Sequence, residues 1–229
     1  MIGSPRVHHR LTDSTNERAK RLAQAGAPHG TLVTADEQSA GRGRQGRVWT
    51  APPRTALLLS VVLRRVDPVL PLAAAVAVCE AIPLKCGIKW PNDVWIERRK
   101  LAGILVEGRP AEGWAVLGIG LNVATEEFPP ELRDIATSLR LAGSAIGTEE
   151  VLSRVLEVLD GWLEAPADEV LAAWRERDAL RGERVGWDGG EGTASGIDDS
   201  GALLVETRDG LLTLGTGEVH LQRPGGQVS

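Results

Sequence analysis

The sequence lacks the features that would place a protein in a membrane, outside the cell or on nucleic acid. No apolar run approaches the roughly 20 residues that a membrane-spanning helix requires. The N-terminus contains no apolar segment typical of a secretory signal peptide. The net charge of -5 argues against broad non-specific binding to nucleic acid. We therefore expect a cytoplasmic protein with no membrane partner.

Cysteine and most aromatic residues are also scarce. The only two cysteines, Cys79 and Cys86, lie in an apolar stretch without the spacing of a metal site, which predicts small, reduced core residues. Tyrosine is absent, and seven Trp and one Phe make up the aromatic set. What remains is an ordinary globular composition, with 42% hydrophobic and 25% charged residues. A chain of 229 residues can hold one good-sized domain, or a medium domain plus a small one.

Periodicity and turn residues divide the chain into two blocks. In the first block, capping residues at 13–15 precede a helix that ends at Gly26, and further helices are predicted at 68–82, 151–163 and 168–180. Predicted strands lie at 31–35, 56–63, 87–90, 93–97, 101–107 and 114–123. A polar loop covers 36–54. The strand at 56–63 is apolar throughout and is therefore expected to be buried on both faces.

The second block consists of short alternating strands separated by Gly-rich turns. These strands are predicted at 183–187, 192–197, 203–207, 211–214 and 218–221. Together they indicate a small five-stranded barrel, which needs a neighbour to pack against. The sequence thus predicts an α+β protein, with a mixed β-sheet and flanking helices in residues 1–180 and a β-barrel in residues 181–229.

A Gly- and Arg-rich segment, residues 41–49, is the first candidate for chemistry, and we call it the Gly-Arg loop. It fits G-x-G-x-x-G, but it lacks the preceding strand and following helix of a dinucleotide site. Its glycines would let backbone amides approach a phosphate, and Arg42, Arg44 and Arg47 would supply charge-assisted hydrogen bonds. A solvated basic loop is the alternative. Trp49 would either stack on an adenine or anchor the loop to the core.

Three later segments carry further candidates. Lys-Trp-Pro-Asn-Asp at 89–93 places Asn92 and Asp93 at strand ends, where Asn can read a base edge and Asp can hold a ribose or Mg²⁺. A turn held by Asx hydrogen bonds is equally consistent. In the segment 98–107, Lys100 either enters a cavity beside small residues or remains solvated. The strand at 118–123 ends on Asn122, and its glycines predict close approach of a ligand or another backbone.

In this order and at these spacings, the segments resemble the catalytic domain of biotin protein ligases. The resemblance also includes Asp-Ser-Thr-Asn at 13–16 and Gln38 ahead of the Gly-Arg loop, and the C-terminal barrel is similar to the SH3-like domain of that family. It implies an ATP-dependent ligase that converts biotin to biotinyl-5′-AMP. The biotin would then pass to a lysine of a biotin carboxyl carrier protein.

The resemblance further implies a division of labour among the site residues. Lys100, Arg42 and Arg44 would serve catalysis. The biotin-binding set would be Ser14, Thr15, Asn16, Gln38, Arg42, Gly43, Arg44 and Lys100. The ATP-binding set would be Arg42, Arg47, Trp49, Asn92, Asp93, Lys100 and Asn122. Mg²⁺ would accompany ATP, with ligands that the sequence does not identify.

The chain departs from the family pattern in two respects. Some members carry an N-terminal DNA-binding domain, but here the first matched motif begins at Asp13, so we expect a ligase without a DNA partner. Gln222 occupies a place where the family's barrel can supply an arginine, and whether Arg223 substitutes stays open. By analogy, a homodimer through an exposed sheet edge is also expected.

The alternatives are a lipoate or octanoate ligase or transferase of the same fold, and a non-catalytic ligand-binding module. The Gly-Arg-Gly-Arg-x-Gly and Lys-Trp-Pro-Asn-Asp motifs favour biotin. The presence of Lys100 and the loop arginines favours a catalyst.

Overall fold

Most of the chain folds around a seven-stranded mixed β-sheet in a computed structural model that describes residues 1–215 and 217–222. In chain order the strands are β1 (Arg6–His9), β2 (Leu32–Ala35), β3 (Ala56–Leu63), β4 (Gly87–Lys89), β5 (Asp93–Ile96), β6 (Arg99–Arg109) and β7 (Trp114–Asn122). Their order in the sheet is β1-β2-β3-β7-β6-β5-β4. The β1–β2 pair is parallel and the other pairs are antiparallel.

Helices cover both faces of this sheet. They are α1 (Thr15–Gln24), α2 (Leu70–Ala81), α3 (Thr148–Glu164) and α4 (Ala167–Arg175). The apolar side chains of β3 alternate between the two faces: Leu59 joins the main core together with residues of α2 and α3, whereas Val62 packs with Ala19 and Ala23 of α1. Every residue of β3 is buried, which confirms the prediction from its continuous apolar sequence.

The C-terminal part forms a second, five-stranded antiparallel sheet. Its strands are β8 (Arg184–Trp187), β9 (Gly190–Ile197), β10 (Leu203–Thr207), β11 (Gly210–Leu214) and β12 (His220–Leu221), in the order β11-β10-β9-β8-β12. Trp90 Nε1 donates to Gly201 O at 3.0 Å, and Arg98 pairs with Glu183 at 2.8 Å, so this sheet is attached to the larger one. The predicted α+β class is confirmed. Closure into a barrel and the boundary at 180/181 stay predictions.

Several predicted boundaries were wrong, and each difference has a local cause. Strand β1 was not predicted, because it is a short, half-exposed edge strand with a single apolar residue, Val7. The helix predicted to reach residue 180 ends at Arg175, because the next residues pair with β4: Ile88 N donates to Arg177 O at 2.7 Å, and Ala179 N donates to Ile88 O at 3.0 Å. Strand β6 begins at Arg99 instead of residue 101.

Two expectations from the composition can be compared directly with the structure. Cys79 is buried, as predicted for a core residue, whereas Cys86 is only partly buried; their reduced state stays a prediction. Within the described ranges, no helix is both long enough and apolar enough to span a bilayer.

Candidate active site

A cavity lies on the face of the large sheet that α1 covers. Paired positions on β3, β7 and β6 form two rows across this face, Ser60–Gly118–Leu105 and Leu58–Gly120–Gly103. The glycines in both rows leave space above the strands. A cavity of about 310 Å³ lies between these rows, the start of α1 and the Gly-Arg loop.

The cavity brings the predicted site residues together from five separate segments. Of the predicted set, Asp93 alone is outside the wall. The residues in the wall are Ser14, Thr15, Asn16, Gln38, Arg42, Gly43, Arg44, Arg47, Trp49, Asn92, Lys100 and Asn122.

Ser14 stands at the N-terminus of α1 but does not cap it. Its side chain makes no capping hydrogen bond, contrary to the expectation from the sequence. Asp13 Oδ1 instead accepts a hydrogen bond from Ser14 N at 2.9 Å. This backbone bond is the main cause that holds the pKa of Asp13 below its usual value. The Ser14 hydroxyl is therefore free of the helix and lies in the cavity wall.

A chain of buried polar groups forms the floor beside Ser14. Gln38 Oε1 accepts hydrogen bonds from Thr15 N at 2.7 Å and Thr15 Oγ1 at 3.1 Å. Ser60 Oγ lies 2.8 Å from Thr15 Oγ1 and 2.6 Å from Asn16 Oδ1. Asn16 Nδ2 donates to Glu107 Oε2 at 2.9 Å. Because a carboxylate only accepts, Glu107 fixes the orientation of the Asn16 amide.

The Gly-Arg loop is ordered as a tight hairpin. Gly43 N donates to Arg47 O at 2.8 Å, and Trp49 N donates to Gly41 O at 3.0 Å. A single 3-10 turn, Arg44–Gly46, forms its tip. The segment is therefore more than a solvated basic loop, because it folds back over the cavity and carries Trp49 into the wall.

The three loop arginines have different partners. Arg42 pairs with Glu17 at 2.7 Å and with Glu107 at 3.1 Å. Arg47 forms an ion pair with Glu218 of the C-terminal part. Within the described residues, the Arg44 guanidinium makes two long hydrogen bonds, to Asn92 Oδ1 at 3.5 Å and Gly217 O at 3.4 Å.

Arg44 is a half-buried cation in an unusual position. Burial lowers its pKa and the carboxylates of Glu218 and Asp93 oppose that change, but an arginine remains charged at neutral pH. Among the residues that the structure describes, it has no salt-bridge partner. A guanidinium in these surroundings is suited to receive an anionic ligand.

Lys100 enters the cavity instead of remaining solvated. Its backbone is held on both sides, because its N donates to Ile135 O at 2.7 Å and its O accepts from Thr137 N at 2.9 Å. Its Nζ lies 2.7 Å from Asp93 Oδ1 and 5.7 Å from the centre of the Trp49 ring. Asp93 Oδ1 has no partner with hydrogen-bond geometry, so the contact with Lys100 is an ion pair. Asp93 therefore lies behind Lys100 and not in the cavity wall.

Trp49 packs flat on the sheet. A Cβ built at Gly120 would lie 2.6 Å from its Cε2 atom, and one at Gly103 would lie 3.2 Å from its Cζ3 atom. A Cβ built at Gly118 would overlap the side-chain amide of Asn16. The glycines therefore accommodate side chains, where the sequence predicted a ligand or another backbone. Trp49 anchors the loop, and stacking on an adenine stays a prediction.

Asn92 and Asn122 are both buried and both bind neighbouring backbone. Asn92 Nδ2 donates to Ile104 O at 2.5 Å, and Asn122 Nδ2 donates to Thr137 O at 3.0 Å. The Asn92 side chain thus connects to β6 and does not form the local Asx turn that the sequence left open.

Sequence reasoning missed several residues of this site. Ser60 carries no motif, and Glu107 ends a recognised motif but received no role. The cavity wall also includes Phe128, Leu132, Ile135 and Ala136, from a segment without a predicted element. The spacing of Phe128, Leu132 and Ile135, four and then three residues apart, was the available signal.

The position of Gln222 is resolved, whereas Arg223 lies outside the described residues. Gln222 Nε2 donates to Glu191 Oε2 at 2.6 Å, and this hydrogen bond is the main cause that holds the pKa of Glu191 below its usual value. The side chain therefore binds within the C-terminal sheet.

Comparisons with known proteins agree with this arrangement. The Biotin/lipoate A/B protein ligase family matches residues 8–123, and the Biotin protein ligase C terminal domain matches residues 190–222. The chain is 38% identical to a biotin–[acetyl-CoA-carboxylase] ligase of Mycobacterium tuberculosis, over 92% of this chain and 87% of that protein. It is 36% identical to one of the same name from Paracoccus denitrificans, over 91% and 97% respectively. A solved biotin protein ligase from Aquifex aeolicus, in complex with biotin and ATP, superposes with a TM-score of 0.83 at 30% identity, covering 96% of this chain and 100% of that chain.

Proposed function

We infer the function of this chain from the premise that it belongs to the biotin protein ligase family. It is an ATP-dependent ligase that activates biotin and attaches it to a carrier protein. One observation above all supports this function. Arg44, a half-buried arginine without a salt-bridge partner among the described residues, shares a cavity with Lys100 and with a buried polar floor.

The reaction has two steps. In the first, a biotin carboxylate oxygen attacks the α-phosphate of ATP, so that biotinyl-5′-AMP forms and pyrophosphate leaves. In the second, the amine of a carrier-protein lysine attacks the acyl carbon, AMP leaves, and the amine loses a proton. Both reactants of the first step are anions, so their approach requires cations at the point of contact.

Three of the cations that border the cavity would meet this demand. Lys100 and Arg44 would contact the biotin carboxylate and the α-phosphate. Arg42 would join them on exchanging a carboxylate partner for the phosphate. The backbone amide of Gly43 would reach the same oxygen atoms on exchanging Arg47 O for them.

The polar floor would bind the neutral end of biotin. The hydroxyls of Ser14 and Thr15 and the amides of Asn16 and Gln38 offer both donors and acceptors at fixed positions. A ureido group also has one acceptor and two donors, so it can satisfy such a floor. The hydrogen bonds among Thr15, Gln38, Ser60 and Asn16 hold the floor rigid before the ligand arrives.

The adenosine would lie between the sheet and the segment 128–136, which contributes apolar side chains to the cavity wall. Trp49 and the apolar side chains Phe128 and Leu132 line the cavity and would contact the base. Asn92 and Asn122 border the same space, and Arg47 would approach the phosphates on exchanging Glu218 for them.

Mg²⁺ fits this donor set as an ion held mainly by the triphosphate. Within residues 1–215 and 217–222, no group of three or more His, Cys, Asp or Glu side chains could hold a metal ion. Asp93 supplies one buried carboxylate beside Lys100, and Mg²⁺ commonly takes one or two carboxylates together with phosphates and water. Asp93 would serve as a ligand of the ion only on exchanging Lys100 for it, and the ion would neutralise part of the triphosphate charge.

The acceptor would be a biotin carboxyl carrier protein, whose lysine must reach the acyl carbon while water stays out. The Gly-Arg loop already folds over the cavity, so it is the element suited to exclude water from the mixed anhydride. A cytoplasmic location, the lack of a DNA partner and a homodimer remain predictions from the sequence.

ATP–pyrophosphate exchange tests the proposal. The purified chain would be assayed with Mg²⁺ and biotin, lipoate or octanoate in parallel reactions. Exchange with biotin alone is expected. Exchange with lipoate or octanoate instead would change the substrate, and no exchange with any acid would contradict ligase activity.

A further inference from the structure

Glu107 connects two parts of the site that are far apart in sequence. It lies near the end of β6, on the face that carries the cavity, opposite Val116 of β7. Its Oε2 accepts from Asn16 Nδ2 at 2.9 Å. Its Oε1 lies 3.1 Å from Lys20 Nζ and 3.1 Å from Arg42 Nη2. One carboxylate thus binds the cavity floor and the Gly-Arg loop.

The carboxylate is held in its charged form. Burial by itself raises the pKa of Glu107, but the hydrogen bonds from Asn16 and Lys20 and the charges of Lys20 and Arg42 outweigh it, so that the pKa lies below its ordinary value. An ionised carboxylate offers only acceptors. The Asn16 amide must therefore turn its NH₂ group to Glu107 and its oxygen to Ser60, and the opposite orientation would place two acceptors together.

We propose that Glu107 is a positioning residue for adenylation, which sets the Asn16 amide in the biotin floor and anchors Arg42 of the Gly-Arg loop through the same carboxylate. This inference rests on the proposed function. The arrangement would also let the loop respond to biotin. Any shift of Asn16 on binding would move the Glu107 carboxylate, which holds Arg42.

Glu17 provides a matched control within the same cluster. It also binds Arg42, at 2.7 Å, and Lys20, at 2.6 Å, and it is comparably exposed, at 29% against 21% for Glu107. Unlike Glu107, it has no hydrogen bond to Asn16 in the part of the chain that the structure describes. Glu17→Gln therefore removes a carboxylate charge that pairs with Arg42 but leaves the hydrogen bond between Asn16 and Glu107 in place.

The experiment compares wild type, Glu107→Gln and Glu17→Gln in biotin-dependent ATP–pyrophosphate exchange. Glu107→Gln is expected to raise the KM for biotin by about tenfold or more, the range for losing a hydrogen bond to a charged group. Glu17→Gln is expected to leave that KM within about twofold, in the range of a surface ion pair. A purely structural defect would lower the active fraction and kcat without changing KM.

A double-mutant cycle keeps the test valid even if Glu107→Gln fails to fold. Asn16→Ala and Arg42→Met would be measured singly and together with Glu107 intact. Because both residues bind Glu107, their effects on kcat/KM for biotin are expected to deviate from multiplicativity by about threefold or more. Multiplicative effects, or an unchanged KM in a folded Glu107→Gln, would overturn the positioning role while wild-type exchange persists. Loss of exchange in the wild type would contradict the proposed function itself.

Discussion

The amide of Asn16 occupies the space that a Cβ at Gly118 would need. The overlap is with the Asn16 Oδ1 atom, the acceptor that faces Ser60. Gly118→Ala is therefore expected to displace Asn16 from the cavity floor and to raise the KM for biotin by about tenfold or more, because buried polar groups would lose their partners. Exchange kinetics at varied biotin would measure this effect.

Gly161→Ala is the control for that substitution. Gly161 lies within α3, and a Cβ there would meet no atom within 4 Å. The alanine is expected to stabilise the helix by up to about 1 kcal/mol without changing the KM. An unchanged KM in Gly118→Ala as well would show that Asn16 does not contribute to biotin affinity.

Gly118 and Gly120 of β7 show how much of the site could be predicted from the sequence. The glycines in Gly-Ile-Gly-Leu-Asn predicted that another group lies close to β7. The Asn16 amide and the Trp49 ring lie there. The identity of the approaching groups was not predictable, because Asn16 on α1 and Trp49 in the Gly-Arg loop lie about 70 to 100 residues earlier, and only the tertiary fold places them over β7. A run of apolar residues indicates a buried element. It therefore predicted β3 and α2, which are buried, and it could not predict β1, which is half exposed.

The predicted site residues were found by their motifs and not by local propensity. Lys100 shows the difference, because a lysine after two arginines in a turn is ordinarily solvated. The structure holds its backbone against the 135–137 segment, and that segment had no predicted element. Glu107 was overlooked because its partners, Asn16 and Arg42, are distant in sequence.

Removal of the Lys100 ammonium should nearly abolish adenylate formation. Lys100→Ala removes a cation from the cavity and leaves Asp93 without its ion-pair partner. By comparison with the loss of one charge-stabilising donor, the rate of exchange should fall by a factor on the order of 10² to 10³. Lys85→Ala, at an exposed lysine on the same chain, should retain full exchange. Near-normal exchange in Lys100→Ala would remove its proposed role.

Loss of the Arg44 side chain should weaken retention of the intermediate. In the structure Arg44 reaches from the loop to Asn92 and to Gly217 of the C-terminal part. Arg44→Gly would release these contacts and the proposed contact with phosphate, so biotinyl-5′-AMP should escape more quickly. The measurement is the release rate of labelled adenylate, together with biotinylation of a bystander protein. Release at the wild-type rate would argue against loop closure.

Stacking of adenine on Trp49 should be visible in fluorescence. The Trp49 ring lies beside Lys100 in the cavity wall, and its Nε1 is buried without a hydrogen-bond partner in the described ranges. Addition of Mg·ATP should quench wild-type fluorescence, and Trp49→Phe should lose most of the quench. The Trp162 indole donates to Glu80 outside the cavity, so the variant Trp162→Phe should retain the quench. An equal quench in Trp49→Phe would exclude stacking as its source.

Asp178 should make the fold less stable at neutral pH than its asparagine variant. It lies where the chain turns from α4 toward the second sheet. Its Oδ1 accepts from Leu180 N at 2.9 Å, whereas Oδ2 is buried without a partner among the described residues. Burial raises the pKa of Asp178 above its model-compound value of 3.8, although backbone hydrogen bonds and Arg181 oppose the change. The native state thus holds the proton up to a higher pH than the unfolded state.

Stability contributed by the protonated Asp178 is therefore complete below about pH 3.8 and is lost as the pH rises through the native pKa. Asp178→Asn keeps an acceptor for Leu180 and removes the buried charge, so its melting temperature should exceed that of wild type at pH 7. The difference should shrink as the pH falls and should level off below about 3.8, where Asp178 becomes neutral in both states. Asp134→Asn, at an exposed position, controls for general charge effects. A difference independent of pH would mean that shape or hydrogen bonding, and not the buried charge, determines the stability at this turn.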